Sequence, residues 1–164
     1  MRLRNLTTED LWLYEAIHCD SRMMEHLGGP LPKAGLAEKL ERDAAATEAD
    51  EVWVLVIVLE EETAAGTVSI WEHEVGGELL TEIGWMVLPD HQGKGVGSAG
   101  VRMALDRARE TGRWDVLHAF PPVSNLASNA MCRTLGFTLL GERTNRFRDR
   151  QLRVNHWRLD LRSA

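Results

Sequence analysis

The chain's capacity for chemistry is concentrated between Glu82 and Gly100, in Glu82-Ile83-Gly84-Trp85-Met86-Val87-Leu88-Pro89-Asp90-His91-Gln92-Gly93-Lys94-Gly95-Val96-Gly97-Ser98-Ala99-Gly100. Ile83, Trp85 and Val87 alternate with smaller or polar residues, the pattern of a strand, and Pro89 closes it for want of a ladder donor. Gly93, Gly95 and Gly97 open a loop whose backbone another molecule can approach closely, since no side chain stands in the way. Val101, Ala104, Leu105 and Ala108 follow at i, i+3, i+4 and i+7, the stripe of an amphipathic helix, which Thr111-Gly112 stops. Glycine-rich amides at a helix N-terminus lack intrahelical partners and sit at the positive end of the dipole, so the stretch predicts a phosphate cradle.

Three readings of that cradle compete. A plain connecting turn would not need three alternating glycines. A dinucleotide fold is suggested by Gly95-Val96-Gly97-Ser98-Ala99-Gly100, which spells G-x-G-x-x-G. The glycines do not follow the strand tightly enough for it, and the next strand, Asp115 to Phe120, ends in Phe-Pro-Pro with no acid for a ribose. The third reading is an acyl-CoA site. Gln92-Gly93-Lys94-Gly95-Val96-Gly97 resembles the Q/R-x-x-G-x-G/A pyrophosphate loop of the GNAT superfamily of N-acyltransferases. Glu82-Ile83-Gly84 is similar to that family's fourth strand, and Asn125-Leu126-Ala127-Ser128 followed by Leu135-Gly136-Phe137 resembles its N-x-x-S…LGF segment. The order and spacing of all three are more specific than the glycines alone. The resemblance covers about residues 51–141 well and the two ends loosely, and its nearest branch is the ribosomal-protein alanine/serine N-acetyltransferases.

That resemblance implies acetyl-CoA as co-substrate. The pyrophosphate is expected on the amides of Gly93, Lys94, Gly95, Val96, Gly97 and Ser98, with Gln92 bracing the loop and Lys94 either a counter-charge or a solvated lysine. The strand is expected to splay after Trp85. Backbone groups of Met86, Val87 and Leu88 would then bond the pantetheine arm and polarise the thioester carbonyl, a preorganised N–H where charge develops. Asn125 and Ser128 are candidates for contacts to the same arm, with helix capping the alternative. The implied acceptor is a primary amine, on a small molecule or a protein N-terminus. With a pKa of about 10 it is protonated at neutral pH, so a base must take its proton before it attacks. Glu82 holds the position of a glutamate that several family members use as base. The alternatives are an ion pair with a neighbouring arginine or a lining role; His73 and His118 are further candidates. Many members carry a tyrosine acid four residues before the glycine of G-F. Here that position is Cys132, which could protonate the leaving thiolate, form an acyl-cysteine, or pack as a small apolar residue. The missing tyrosine keeps open a rival from another class, a CoA-binding regulator or sensor without turnover.

These residues need positioning by the rest of the chain. Leu3 and Leu6 suggest a first strand. Thr7-Thr8-Glu9-Asp10 reads as the start of a helix running to about Cys19, and Gly28-Gly29-Pro30-Leu31-Pro32 as a loop. A polar, Ala-rich helix from about Lys33 to Thr47 has little apolar stripe beyond Leu36 and Leu40 and is expected on the surface. Val52 to Leu59 reads as a buried strand and Ala65 to Trp71 as the next, with Gly76-Gly77 marking a hairpin. After the central strand and helix come a strand at Val116 to Phe120 and a helix with Ala127, Ala130, Met131 and Leu135 facing inward. The last two strands are Phe137 to Gly141 and Leu152 to Leu161, joined by the loop Arg143-Thr144-Asn145-Arg146-Phe147-Arg148-Asp149-Arg150. The order β-α-α-β-β-β-α-β-α-β-β describes an α/β fold. It is GNAT-like: a mixed, mostly antiparallel sheet of about seven strands with helices on both faces. The resemblance implies that acceptor specificity comes from residues of about 23 to 33 and 143 to 151. The arginines of the second segment suit either an acceptor carrying a carboxylate or phosphate or simply a solvated loop.

Composition bounds the rest. The 164 residues suffice for one domain, residues 1–164, with a sizeable core. A net charge of -6 argues against general nucleic-acid binding. Two cysteines, Cys19 and Cys132, make no disulfide framework and fit a reducing cytoplasm. There is no CxxC or HxxxH pattern for a metal, no secretory h-region after Met1, and no apolar run long enough to span a bilayer. A homodimer is the base-rate expectation for assembly.

Overall fold

The computed structural model describes residues 1–75, 77–147 and 150–162. Gly76, Arg148 and Asp149, which the sequence placed in two connections, lie outside them. Among the described residues seven strands form one sheet: β1 (Arg2–Asn5), β2 (Trp53–Val58), β3 (Ala64–Val75), β4 (Glu78–Val87), β5 (Val116–Ala119), β6 (Thr138–Phe147) and β7 (Arg150–Asp160). Their order is β1-β2-β3-β4-β5-β7-β6, antiparallel throughout except where β4 meets β5. Four α-helices, α1 (Leu11–His18), α2 (Leu36–Glu48), α3 (Val96–Thr111) and α4 (Leu126–Thr134), cover the two faces. The element order is the one the apolar patterning predicts.

β2 explains the layering. All six of its residues are buried, and a strand alternates sides. Trp53, Leu55 and Ile57 enter the core with α3, while Val54, Val56 and Val58 enter the core with α1 and α2. α3 presents the expected stripe of Val101, Ala104, Leu105 and Ala108, all buried, and lies close to the sheet at Gly100, where an added Cβ would meet Ile57 Cδ1 at 2.6 Å. α2 is only partly the surface helix expected of it. Ala44 and Thr47 extend the line of Leu36 and Leu40 into the core, Lys39, Asp43 and Ala46 are half-buried, and the remaining positions face solvent.

Two elements differ from their sequence patterns. The described part of the arginine-rich segment is strand: Arg143 and Arg146 belong to β6 and Arg150 to β7, which pair down to Phe147–Arg150. Nearly every β6 side chain is exposed, so this ladder forms without the apolar alternation that would reveal it. In α4 and its C-cap, Met131 and Leu135 pack partly buried against the α3 core as expected, but Ala127 and Ala130 are exposed, and the buried positions are Asn129 and Cys132. Asn129 escaped notice because its polarity disguises a hub. Its Oδ1 accepts from Asn155 Nδ2 at 2.7 Å and Trp157 Nε1 at 2.9 Å, and its Nδ2 donates to the carbonyls of Pro122 at 2.9 Å and Asn125 at 2.8 Å. All four of its hydrogen-bonding positions are thereby filled.

The opening that positions the site lies between β4 and β5. The two strands pair only at Glu82–His118, so β4 runs on from Glu82 without a partner on that edge. The splay therefore begins three residues earlier than the expected point after Trp85. Among the described residues no helix is long and apolar enough to cross a membrane.

Candidate active site

Alternation along β4 sorts its side chains. Ile83, Trp85 and Val87 pack toward α3, and Met86 packs with the α1–α2 core. Glu82 and Gly84 share the face of Met86 and line a cleft of about 710 Å³ between the sheet, α1, α2 and the β5–α4 connection. Backbone direction alternates too. The Leu88 amide donates to Ala65 O of the neighbouring strand at 2.8 Å, so the amides of Met86 and Leu88 point to β3, and those of Trp85 and Val87 point into the splay. Of the three expected backbone contacts, only the Val87 amide faces the opening. The Met86 side chain lines the cleft, and the Val87 carbonyl is taken by Gln92 Nε2 at 2.8 Å. Gln92 thus braces the end of the strand.

The glycine loop divides into two kinds of position. Gly93 (φ 70°) and Gly95 (φ 78°) are left-handed, and an added Cβ at either would meet nothing within 4 Å. At Gly97, by contrast, an added Cβ would lie 3.1 Å from Val87 Cγ2, so this glycine seats the helix against β4. The amides of Val96, Gly97 and Ser98 have no acceptor among the described residues, and the first bond into the helix runs from Ala99 N to Gly95 O at 3.0 Å. Three unpaired donors at the start of a 16-residue helix, beside open space, fit a pyrophosphate. Lys94 curls back, its Nζ donating to Asp90 O at 2.8 Å. Asn125 caps α4 by accepting from Ser128 N at 3.0 Å, and both residues line the cleft.

Glu82 is the ionisable centre of the cleft. Its side chain retains 17% of its exposure, and burial pushes its carboxyl up to about 8. His73 Nε2 stands 2.7 Å from Glu82 Oε2, outside hydrogen-bonding geometry, and burial lowers its pKa. The histidine is therefore neutral near pH 7 and does not neutralise the carboxylate. His118, beside Glu82 in register, contacts His156 Nε2 through Nδ1 at 2.7 Å. His156, which sequence reasoning passed over, is buried and driven down to about 4, first by desolvation and then by Arg143 and His118.

Cys132 is not brought to this site. It is 0% exposed within the α3 core, is not among the residues lining the cleft, and its thiol is pushed up to about 12 by burial. Of the three alternatives for this position, acid, nucleophile or packed apolar residue, its burial favours packing. Arg146 does line the cleft, whereas Arg148 lies outside the described residues. The sequence also undervalued Trp71, which pairs with Glu82 across β3–β4 and lines the same cleft. No group of three or more His, Cys, Asp or Glu suited to a metal occurs among the described residues.

Residues 1–138 match the model of the acetyltransferase (GNAT) domain family. The fold is shared with spermidine N-acetyltransferase from Vibrio cholerae, crystallised with CoA and spermine. That likeness has 19% identity and a TM-score of 0.81, and covers 98% of this chain and 95% of that one. It is shared also with ribosomal-protein-alanine N-acetyltransferase from Brucella melitensis, at 22% identity, TM-score 0.76 and coverage of 98% and 99%. A third likeness is to an acetyltransferase from Salmonella typhimurium that modifies the N-terminal serine of a 50S ribosomal subunit protein, at 17% identity, TM-score 0.79 and coverage of 96% and 93%. Comparison of the sequence with curated proteins returns no match.

Proposed function

The chain belongs to the GNAT acetyltransferase family, and from that premise we propose that residues 1–164 act as one domain moving an acetyl group from acetyl-CoA to a primary amine. The amine attacks the thioester directly in a ternary complex. The observation that carries the reading is Glu82: a carboxylate raised to about 8 on the strand that splays to form the cleft. A base of that pKa is better matched to an ammonium of about 10 than an ordinary carboxylate is. Glu82 takes the ammonium proton, and the Val87 amide at the splay donates to the carbonyl oxygen as charge develops there. The amides of Val96, Gly97 and Ser98 hold the pyrophosphate, Gly93 and Gly95 leave room for it, and Gln92 fixes the loop to β4. Asn125 and Ser128 border the path of the pantetheine arm. Cys132 serves packing. A CoA thiol has a pKa of about 8.5, so its release as thiolate at pH 7 is uphill by only about 2 kcal/mol and requires no thiol donor from α4.

The spermidine and ribosomal-protein acetyltransferases named above act on amines, which agrees with an amine acceptor here. Arg146 at the cleft wall fits an acceptor whose far end carries a carboxylate or phosphate. A thermal-shift comparison of acetyl-CoA, CoA and NAD(P)H at matched concentration tests the reading. A ligand at 100-fold over Kd stabilises by about 2.7 kcal/mol, which is several degrees for a chain of this size. A rise with acetyl-CoA and CoA is expected; a rise with NAD(P)H alone would remove the acyltransferase assignment. Acetyl-CoA binding without CoA release on adding any amine would instead leave a regulator or sensor.

A further inference from the structure

We propose that Trp71 and Glu82 together form the recognition site for the acceptor's positive charge. The indole face would act as a cation–π platform, so that the cleft selects aliphatic ammonium groups over neutral or weakly basic ones. The inference rests on the amine-acetyltransferase reading above and names its substrate class more narrowly.

The first support is placement. Trp71 and Glu82 are directly paired on β3 and β4 and line the same cleft, so their side chains leave the sheet side by side, roughly 5 Å apart at their origins. The next β4 residue on that face is Gly84. A Cβ there would lie 3.2 Å from Trp71 Cη2 and 3.3 Å from Cζ3. The missing side chain lets the six-membered ring lie over Gly84, on the face of β4 that Glu82 shares.

The second support is the contrast with other aromatic rings. Trp53 carries Arg107 over its ring at 4.4 Å, Trp114 carries Arg113 at 4.5 Å, Trp157 carries Arg133 at 5.6 Å, and Tyr14 carries Lys39 at 5.5 Å. The indole N–H groups of Trp53, Trp114 and Trp157 are also committed, to Asp50, Glu72 and Asn129. Among the described residues Trp71 has neither a cation over its ring nor an acceptor for its N–H. Trp85 lacks both as well but packs toward the α3 core, whereas Trp71, whose ring lies 6.0 Å from that of His73, stands on the face of Glu82, an acid that itself lacks a cation. Burial is the cause of the shift at Glu82, with no basic side chain acting on it, and the adjacent His73 is neutral near pH 7. An arriving ammonium supplies the positive charge to both groups at once. Tryptophan is the strongest ring for such a contact, and the attraction grows as the site is desolvated.

The test separates charge from shape. Choline and its uncharged carbon isostere, 3,3-dimethylbutan-1-ol, are titrated by calorimetry into the protein saturated with CoA. Neither probe can be acetylated on nitrogen. The wild type is expected to prefer choline. Trp71→Leu should reduce that preference by about 2- to 30-fold, Trp71→Phe by less, and CoA affinity should stay unchanged in both. Choline preference unaltered in Trp71→Leu, or absent in the wild type, would overturn the inference. Such a result with CoA binding and amine-dependent turnover intact would remove only the Trp71 assignment, whereas failure of CoA to bind would remove the acyltransferase reading itself. Trp71→Phe preserves an aromatic filler, so the comparison stands even if the leucine variant folds poorly.

Discussion

Glu82→Gln should make the protein more stable while disabling it. The folded carboxyl titrates at about 8 instead of its ordinary 4.5, because burial penalises its charge. The unfolded chain therefore gives up this proton first. Between those two values the folded state binds more protons than the unfolded state, so stability falls as pH rises. The difference of 3.5 between 8 and 4.5 is a full penalty of roughly 5 kcal/mol above pH 9, of which about 3 kcal/mol is present at pH 7. Residual exposure of 17% and the His73 ring 2.7 Å away both soften it, so about 3 kcal/mol is an upper figure at neutral pH. Glutamine keeps the shape and cannot ionise. Melting followed by circular dichroism at pH 5, 7 and 9 should show the variant close to wild type at pH 5 and ahead of it by up to roughly 6–12 °C at pH 7. The gap should widen further at pH 9. Turnover measured on the same samples should fall by about 10²- to 10⁴-fold. A glutamine variant that melts at or below the wild-type temperature at pH 9 would refute the claim that Glu82 sits desolvated and uncompensated.

Other outcomes follow from the same geometry. Asn129→Leu strips partners from Asn155, Trp157 and two carbonyls and should cost roughly 2–4 kcal/mol in urea unfolding; an unchanged midpoint would show that the hub is dispensable. Gly95→Ala forces a side chain into a left-handed position at φ 78°. It should lose about 1–2 kcal/mol of stability and raise the KM for acetyl-CoA more than that for the amine, read from initial rates. Iodoacetamide should label Cys19 well before Cys132, whose thiol is enclosed and held at about 12, and Cys132→Ala should keep turnover within a few-fold of wild type. Rapid alkylation of Cys132 in the native protein would reopen its chemical role.

Much of this was legible in the sequence, where apolar pattern and glycine spacing coincide with function. The stripe of Val101, Ala104, Leu105 and Ala108 and the run from Trp53 to Val58 fix the two layers, because burial dictates their periodicity. The glycine loop was legible because left-handed positions such as those of Gly93 and Gly95 favour glycine. Other features are set by tertiary neighbours and leave no local trace. Strand β6 is exposed on nearly all its length, so its arginines carry no strand signal. The splay at Glu82 depends on where β5 ends, and whether Met86 or Val87 offers its amide depends on the register with β3. Cys132 occupies the position of a family acid, yet its burial is decided by the packing of α4. Trp71 looked like one tryptophan among six; its pairing with Glu82 and the cations lying over Trp53, Trp114 and Trp157 emerge only in the fold.

The most direct test of the central claim is the pH dependence of amine-dependent CoA release, measured as kcat/KM from pH 6 to 10 for the wild type and Glu82→Gln. A base at about 8 should give the wild type a limb that rises about tenfold between pH 7 and 9 and then levels or falls as the amine loses its proton near 10. The glutamine variant should lose that limb together with most of its rate. A wild-type profile flat across pH 8, or a limb that survives in Glu82→Gln, would contradict the assignment of Glu82 as the base.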